Sequence, residues 1–131
     1  MTGAEARARS ASVRDALYMT VGYTQKLMSE PEVAEYMRRF REDPVFRREV
    51  VLCLATQHMQ VRLDPEEAAL LTKRERAREE SAMWNESMRV MNGFRKKTPT
   101  PEQVRLREVT WAYLMKKYGY PALDVVTWEI V

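Results

Sequence analysis

Cys53 and His58 are the two side chains whose chemistry could make this chain a catalyst or a metal-binding protein. The sequence holds one cysteine and one histidine. Their spacing of five residues places them on different faces of a helix, whereas a nucleophile and its base must lie within hydrogen-bond reach. A structural zinc ion needs four ligands of this kind. We therefore expect no catalytic residues, no metal, no cofactor and no enzymatic activity.

Other sequence motifs of small-molecule sites are absent as well. The chain lacks GxGxxG, GxxxxGK[ST], HExxH and the loop of an EF-hand. Its carboxylates occur at helix starts and in ion-pair patterns, where structural roles account for them. The nine methionines could line an adaptable binding groove, but their helical spacing also suits an ordinary core.

The segment 92–118 is locally basic in a chain whose net charge is +3. Its basic residues are Arg95, Lys96, Lys97, Arg105, Arg107, Lys116 and Lys117. Such a segment could bind an acidic protein surface or the phosphates of RNA or an anionic lipid. A solvated helix surface is the alternative. We place the expected partner contact at Arg95, Lys96 and Lys97.

Helix starts are the clearest structural signal in the chain. A capping side chain lies one or two residues before a proline at Ser29, Asp43, Asp64 and Thr100. Ser12 begins a further capping box. These signals predict an all-α fold, an irregular bundle of about five helices with one long helix. The predicted helices span residues 13–28, 31–41, 44–61, 65–91 and 101–118.

Residues 1–121 are expected to form a single helical domain with bends at Pro31 and Pro44. Residues 50–55 are apolar on every side, which marks the third helix as central. This run is far too short to cross a bilayer, so no transmembrane segment is expected. The charged middle of the long helix, residues 73–80, should bridge solvent or lie against a polar partner. The predicted core contains Phe40, Phe46, Val50, Leu54, Trp84 and Trp111.

The tail, residues 122–131, is β-branched and aromatic, unlike the rest of the chain. Val126, Trp128 and Ile130 would share one face if it were extended. The sequence offers no second strand, and a lone strand is unstable. We therefore expect an extended tail that lies on a neighbouring subunit with Trp128 as the anchor. The alternative is that the tail folds back over its own helices.

The start of the chain bears on its location in the cell. Residues 1–12 are rich in Arg, Ala and Ser and resemble part of an organellar presequence, although Glu5 is atypical. A helix that merely begins with basic residues is the alternative. A single cysteine cannot form an internal disulfide, which indicates a reducing compartment. We expect a mitochondrial location, or otherwise a reducing intracellular compartment.

One local resemblance to a known family rests on Ser29-Glu30-Pro31-Glu32 and Asp43-Pro44. Residues 28–46 resemble the aspartate-proline repeat helices of stress-inducible co-chaperones. The resemblance implies short helices around a groove lined by Met and Leu that binds hydrophobic segments. In this chain arginines replace the Met- and Gln-rich spacers of that family.

Two functions fit these observations. The first is a non-catalytic structural or accessory subunit of a larger multiprotein assembly, such as a respiratory complex, ATP synthase or a mitochondrial ribosome. The second is a co-chaperone-like adaptor that binds hydrophobic peptide segments. A subunit should co-purify with its partners at fixed stoichiometry, whereas an adaptor should be a monomer that binds its partners transiently.

Overall fold

The computed structural model of the chain describes residues 2–58, 66 and 69–131. Helices in these ranges follow one another along the chain. They are α1 (Gly3–Thr24), α2 (Glu30–Glu42), α3 (Pro44–His58), α4 (Lys73–Arg95) and α5 (Pro101–Tyr118). The only extended pairing among the described residues is one isolated β-bridge. The predicted all-α fold with about five helices is therefore confirmed.

Local capping sets the starts of α2, α3 and α5. Ser29 and Thr100 each form a capping box with the residue three positions later. The Asp43 carboxylate accepts hydrogen bonds from two backbone N–H groups in the first turn of α3. α5 has its predicted bounds and ends at Gly119, whose φ of 75° is left-handed. Asp64, by contrast, lies outside the described ranges.

α1 starts earlier than the predicted residue 13. Thr2 and Glu5 form its capping box, and the following Ala and Arg residues favour helix. Ser12 therefore lies inside the helix, where its hydroxyl donates a hydrogen bond to the Asp43 carboxylate at 3.1 Å.

α1 also ends before the predicted residue 28. Lys26 adopts a left-handed φ of 57°, which a helix cannot continue. The Leu27 N–H then bonds to the Gly22 carbonyl at 2.9 Å, as in a Schellman end.

α4 differs from the predicted helix 65–91 at both ends. The Thr72 hydroxyl accepts the Glu75 N–H at 3.2 Å and caps the helix there. Residues 65, 67 and 68 of the predicted start lie outside the described ranges, as do residues 59–61 of the predicted third helix. Gly93 continues α4 instead of ending it, because it is buried against α5.

α3 is the central helix of the core. Val50 and Leu54 on α3 are fully buried, and so are Phe40, Phe46 and Trp111. These five positions confirm most of the predicted core. Trp84 is the exception, with 64% of its surface exposed. α4 packs on α3 and α5 near its C-terminal end, whereas all side chains of residues 73–82 are exposed.

The tail folds back over its own helices. Leu123 and Ile130 form the isolated bridge, and residues 125–127 turn the chain between them. The Asp124 carboxylate stabilises this turn by accepting the backbone N–H groups of residues 126 and 127. The tail therefore pairs with itself at this one bridge, and it does not form a strand.

Trp128 belongs to the core and not to an external contact. Its side chain is 3% exposed. It stacks on Phe94 at 5.5 Å between ring centres and meets Trp111 edge-on at 6.4 Å. Its left-handed φ of 60° breaks the alternation that an extended tail requires. The expectation that Trp128 anchors an extended tail on a neighbouring subunit is therefore wrong.

Tyr36 brings a polar network into the core. Its hydroxyl lies 3.0 Å from the Thr20 hydroxyl and 3.2 Å from the Tyr120 hydroxyl. Burial raises the pKa of Tyr36 to about 12. Burial and the neighbouring Tyr36 also raise the pKa of Tyr120. The folded chain therefore holds both phenols in the neutral form.

We predict that the free energy of unfolding falls as the pH rises from about 10 to about 12. In this window the unfolded chain releases phenolic protons that the folded chain keeps, so rising pH favours unfolding. The slope should be about 1.4 kcal/mol per pH unit for each buried phenol. Urea titrations across this range measure it. Tyr36→Phe should make the free energy of unfolding depend less steeply on pH. The control, Tyr18→Phe at an exposed position, should keep the slope of the parent chain. Equal slopes for the two variants would contradict the role of Tyr36.

A matched pair of tryptophan substitutions tests the two positions at which the structure differs from the prediction made from the sequence. Trp128→Ala should lower the free energy of unfolding by about 3–5 kcal/mol because it empties a buried site. Trp84→Ala should change it by less than about 0.5 kcal/mol because that side chain is exposed. Urea denaturation measures both. Similar losses for the two variants would contradict the burial of Trp128 and the exposure of Trp84.

Candidate partner-binding surface

The guanidinium of Arg107 is fully buried between α4, α5 and the tail. Its hydrogen bonds to the described part of the chain end on backbone carbonyl oxygens at 2.6–3.3 Å. These oxygens belong to Gly93, Phe94, Lys96 and Val125. The first three lie at the end of α4, where carbonyl groups lack helical partners and carry the negative end of the helix dipole. Arg107 therefore caps α4 from the neighbouring helix.

The same guanidinium also binds the tail. It donates to the Val125 carbonyl at 2.7 Å, and its Cζ lies 4.8 Å from the centre of the Trp128 ring. A cation over an indole face is attracted to the ring electrons. Burial lowers the pKa of Arg107, and the nearby Arg48 lowers it further. An arginine nevertheless stays protonated, so carbonyl dipoles and an aromatic ring stabilise a buried positive charge.

Arg47 makes the corresponding contacts at the end of α2. This side chain is also buried. It donates to the carbonyl oxygens of Phe40 at 2.8 Å and Arg41 at 2.6 Å. A further bond reaches the Trp128 carbonyl at 3.3 Å. Each of these two arginines therefore joins the end of a helix to the tail.

Arg95 at the end of α4 and Lys96 and Lys97 directly after it are exposed, and we call these three residues the basic loop. Arg107 binds the Lys96 carbonyl at 2.6 Å while it binds the tail one residue before Val126. Arg107 therefore ties the backbone of the basic loop at Lys96 to the tail residue before Val126, which is 46% exposed. We call these four residues the basic surface.

Other residues of the predicted partner site and basic segment lie elsewhere. Ile130 is partly exposed at the bridge with Leu123, and Trp128 is buried. Arg105, Lys116 and Lys117 are exposed on α5. The Lys117 ammonium lies 5.6 Å and 5.2 Å from the ring centres of Tyr113 and Tyr118. The expectation that Arg107 belongs to an external basic segment is wrong, because its face of α5 is the buried one.

A groove lies between α1 and α3, which we call the α1/α3 groove. Val13, Leu17 and Val21 of α1 line it together with Leu52 and Cys53 of α3. It consists of two adjoining hollows of about 540 Å³ and 600 Å³ that share Leu17, Glu49 and Cys53. Methionines do not line it among the described residues.

Cys53 is half-buried at this groove. Burial raises the pKa of its thiol, and the nearby Glu49 raises it further. A raised pKa lowers the thiolate fraction on which nucleophilic reactivity depends. The side chain of His58 lies outside what the structure describes. Among the described residues, no group of three His, Cys, Asp or Glu side chains is placed to hold a metal ion.

None of the helices in the described ranges has both the length and the apolar character that crossing a bilayer requires. No family model matches the chain, and no characterised protein or solved structure is significantly similar to it.

We predict that Arg107→Lys lowers the free energy of unfolding by about 2–4 kcal/mol. Lysine keeps the charge but cannot reach the ends of α4 and the tail together, which leaves buried carbonyl groups unpaired. Arg105→Lys makes the same chemical change at an exposed position of α5 and should cost less than about 0.5 kcal/mol. Urea denaturation measures both variants. A loss at Arg107 no larger than at Arg105 would contradict the capping role.

Proposed function

We propose that this protein is a non-catalytic accessory subunit of a larger multiprotein assembly. The observation that carries this proposal is the exposed first half of α4. All side chains of residues 73–82 are exposed, and Trp84 is 64% exposed. This half of α4 makes no core contact of its own, and a helical segment that is polar on every side suits one that bridges solvent to a partner.

The exposed side chains of α4 suit a protein partner. The ion pair between Arg76 and Glu80, at 3.1 Å, is exposed and adds little stability. Large aromatic side chains such as Trp84 are enriched where binding energy concentrates in interfaces. An exposed tryptophan beside mixed charges therefore favours a protein interface with an apolar centre and a polar rim.

The basic surface supplies a second contact in this proposal. Arg107 holds the backbone of the basic loop at Lys96, so the loop loses less conformational freedom when a partner binds. Three adjacent cations favour an acidic protein surface, which is the partner we propose. The phosphates of RNA or of an anionic lipid are the other ligands to which such a loop could bind.

We further propose a mitochondrial assembly, such as a respiratory complex, ATP synthase or the ribosome of that organelle. The Arg- and Ala-rich start of α1 supports this location. A different reducing intracellular compartment is compatible with the single cysteine.

A co-chaperone-like adaptor is the alternative function, and the α1/α3 groove favours it. The groove presents an apolar floor on which a hydrophobic peptide segment could lie. The resemblance of residues 28–46 to aspartate-proline repeat helices supports the same alternative, although the groove lies between α1 and α3.

Affinity purification of the tagged full chain from its native cells, followed by mass spectrometry, separates these functions. A subunit should recover the same proteins at fixed stoichiometry through size-exclusion chromatography. An adaptor should elute as a monomer with partners at variable, substoichiometric amounts. Recovery of the chain alone under mild conditions would contradict both proposals.

We predict that reversing the charge of Arg95, Lys96 and Lys97 to Glu weakens this association. The loss should be largest at low ionic strength and should shrink above about 0.5 M salt, where the screening length is only a few ångströms. Quantitative co-purification at several salt concentrations measures it. Nuclease treatment and liposome flotation of the parent chain identify RNA or lipid as the ligand instead.

The matched control carries the same change of charge on α5. It replaces Arg105, Lys116 and Lys117 with Glu, and these positions are also exposed. Equal losses in both triple variants would show that net charge alone matters and would contradict a contact at the basic loop.

A further inference from the structure

We infer that the α1/α3 groove binds an acidic amphipathic helix of a partner protein. This inference rests on the proposed function as an accessory subunit and names the kind of segment that would bind there. It depends on the length of the groove, the spacing of its apolar residues and the charges at its ends.

The length and spacing fit a helix. Between Arg9 and Gln25, which line opposite ends of the groove, α1 advances by about 24 Å, or four to five turns. Val13, Leu17 and Val21 recur every four residues, and Leu17 is 50% exposed. Such a row of side chains forms a ridge beside which the side chains of a second helix can insert. The groove therefore suits a partner helix of roughly 16 residues.

The charges around the groove select an acidic partner. Arg9 and Arg14 line its first part, and Arg95 of the basic loop lines its far end. Glu49 is the acidic residue among the lining side chains of these two hollows. A helix with an apolar stripe flanked by carboxylates would place opposite charges against Arg9 and Arg14 at one end of the groove and against Arg95 at the other.

A second copy of this chain is a poor occupant on the same grounds. Its α1 is basic and not acidic, with Arg7, Arg9 and Arg14 but only Glu5 and Asp15 as carboxylates. Its other exposed helical segment, residues 73–82, holds four basic and three acidic side chains. Neither segment presents a row of carboxylates that could pair with the arginines of the groove, so a different, acidic chain fits the groove better.

Cys53 provides a direct reporter of occupancy in the full chain. It lines both hollows of the groove, and it is the one cysteine of the sequence. A helix in the groove would cover its thiol, so the rate of alkylation by a maleimide reports binding at this site alone.

The probe is a helix-forming peptide of about 16 residues, with leucines every three or four positions and glutamates beside them. Its control has lysines in place of the glutamates. The glutamate peptide should slow alkylation of Cys53 and bind at least about tenfold more tightly than the lysine peptide, an effect of three opposite-charge contacts. Leu17→Glu should abolish the protection. Val109→Glu, an equally drastic change at an exposed position of α5, should preserve it.

Two results would overturn the inference. One is the absence of protection by the glutamate peptide, and the other is equal binding of both peptides. Co-purification from native cells distinguishes failure of this inference from failure of the proposed accessory role. A Leu17→Glu chain that still recovers its partners at the parent stoichiometry would leave the accessory role intact and remove the groove from it.

Discussion

Burial of two arginine side chains is the constraint on which the rest of this structure depends. A guanidinium removed from water needs a hydrogen-bond acceptor for most of its donors. Arg107 finds them at the end of α4 and in the tail, and Arg47 finds them at the end of α2 and in the tail. Helix ends present carbonyl groups without helical partners. Each arginine donates hydrogen bonds to such groups, and these groups are in turn the acceptors that its buried guanidinium requires.

This arrangement also decides which surfaces remain for a partner. The tail is held at Val125 by Arg107 and at Trp128 by Arg47, so its aromatic side chain fills the core. The buried Arg107 binds the Lys96 carbonyl. The cationic side chains of the basic loop therefore remain exposed on a fixed backbone. The first half of α4 lies beyond these contacts and is exposed on all sides. Rigid contacts at one end of α4 and exposure at the other suit a protein that connects to others.

Local signals in the sequence predict much of this fold. The caps at Ser29 and Thr100 depend on neighbouring residues alone, and α5 accordingly has its predicted bounds. The buried arginines were missed because charged residues are normally exposed. A signal was present, since Arg107 shares the helical face of Val104 and Trp111. Trp84 is also a large apolar residue on a helix, but it lies before the part of α4 that packs on α3 and α5, and it is 64% exposed. The burial of Trp128 depends on Phe94 and Trp111, which are distant in the sequence, so no local pattern contains it.

Residue-resolved amide hydrogen exchange in the parent chain and in Arg107→Lys tests the central claim most directly. If Arg107 joins α4 to the tail, exchange should accelerate together at the last turn of α4 and at the Trp128 N–H, which bonds to the Asp124 carbonyl. The N–H groups in the middle of α1 should lose only as much protection as the fall in the global free energy of unfolding accounts for. Parent-like protection of the tail in Arg107→Lys would contradict the claim, because the tail would then be held without this arginine.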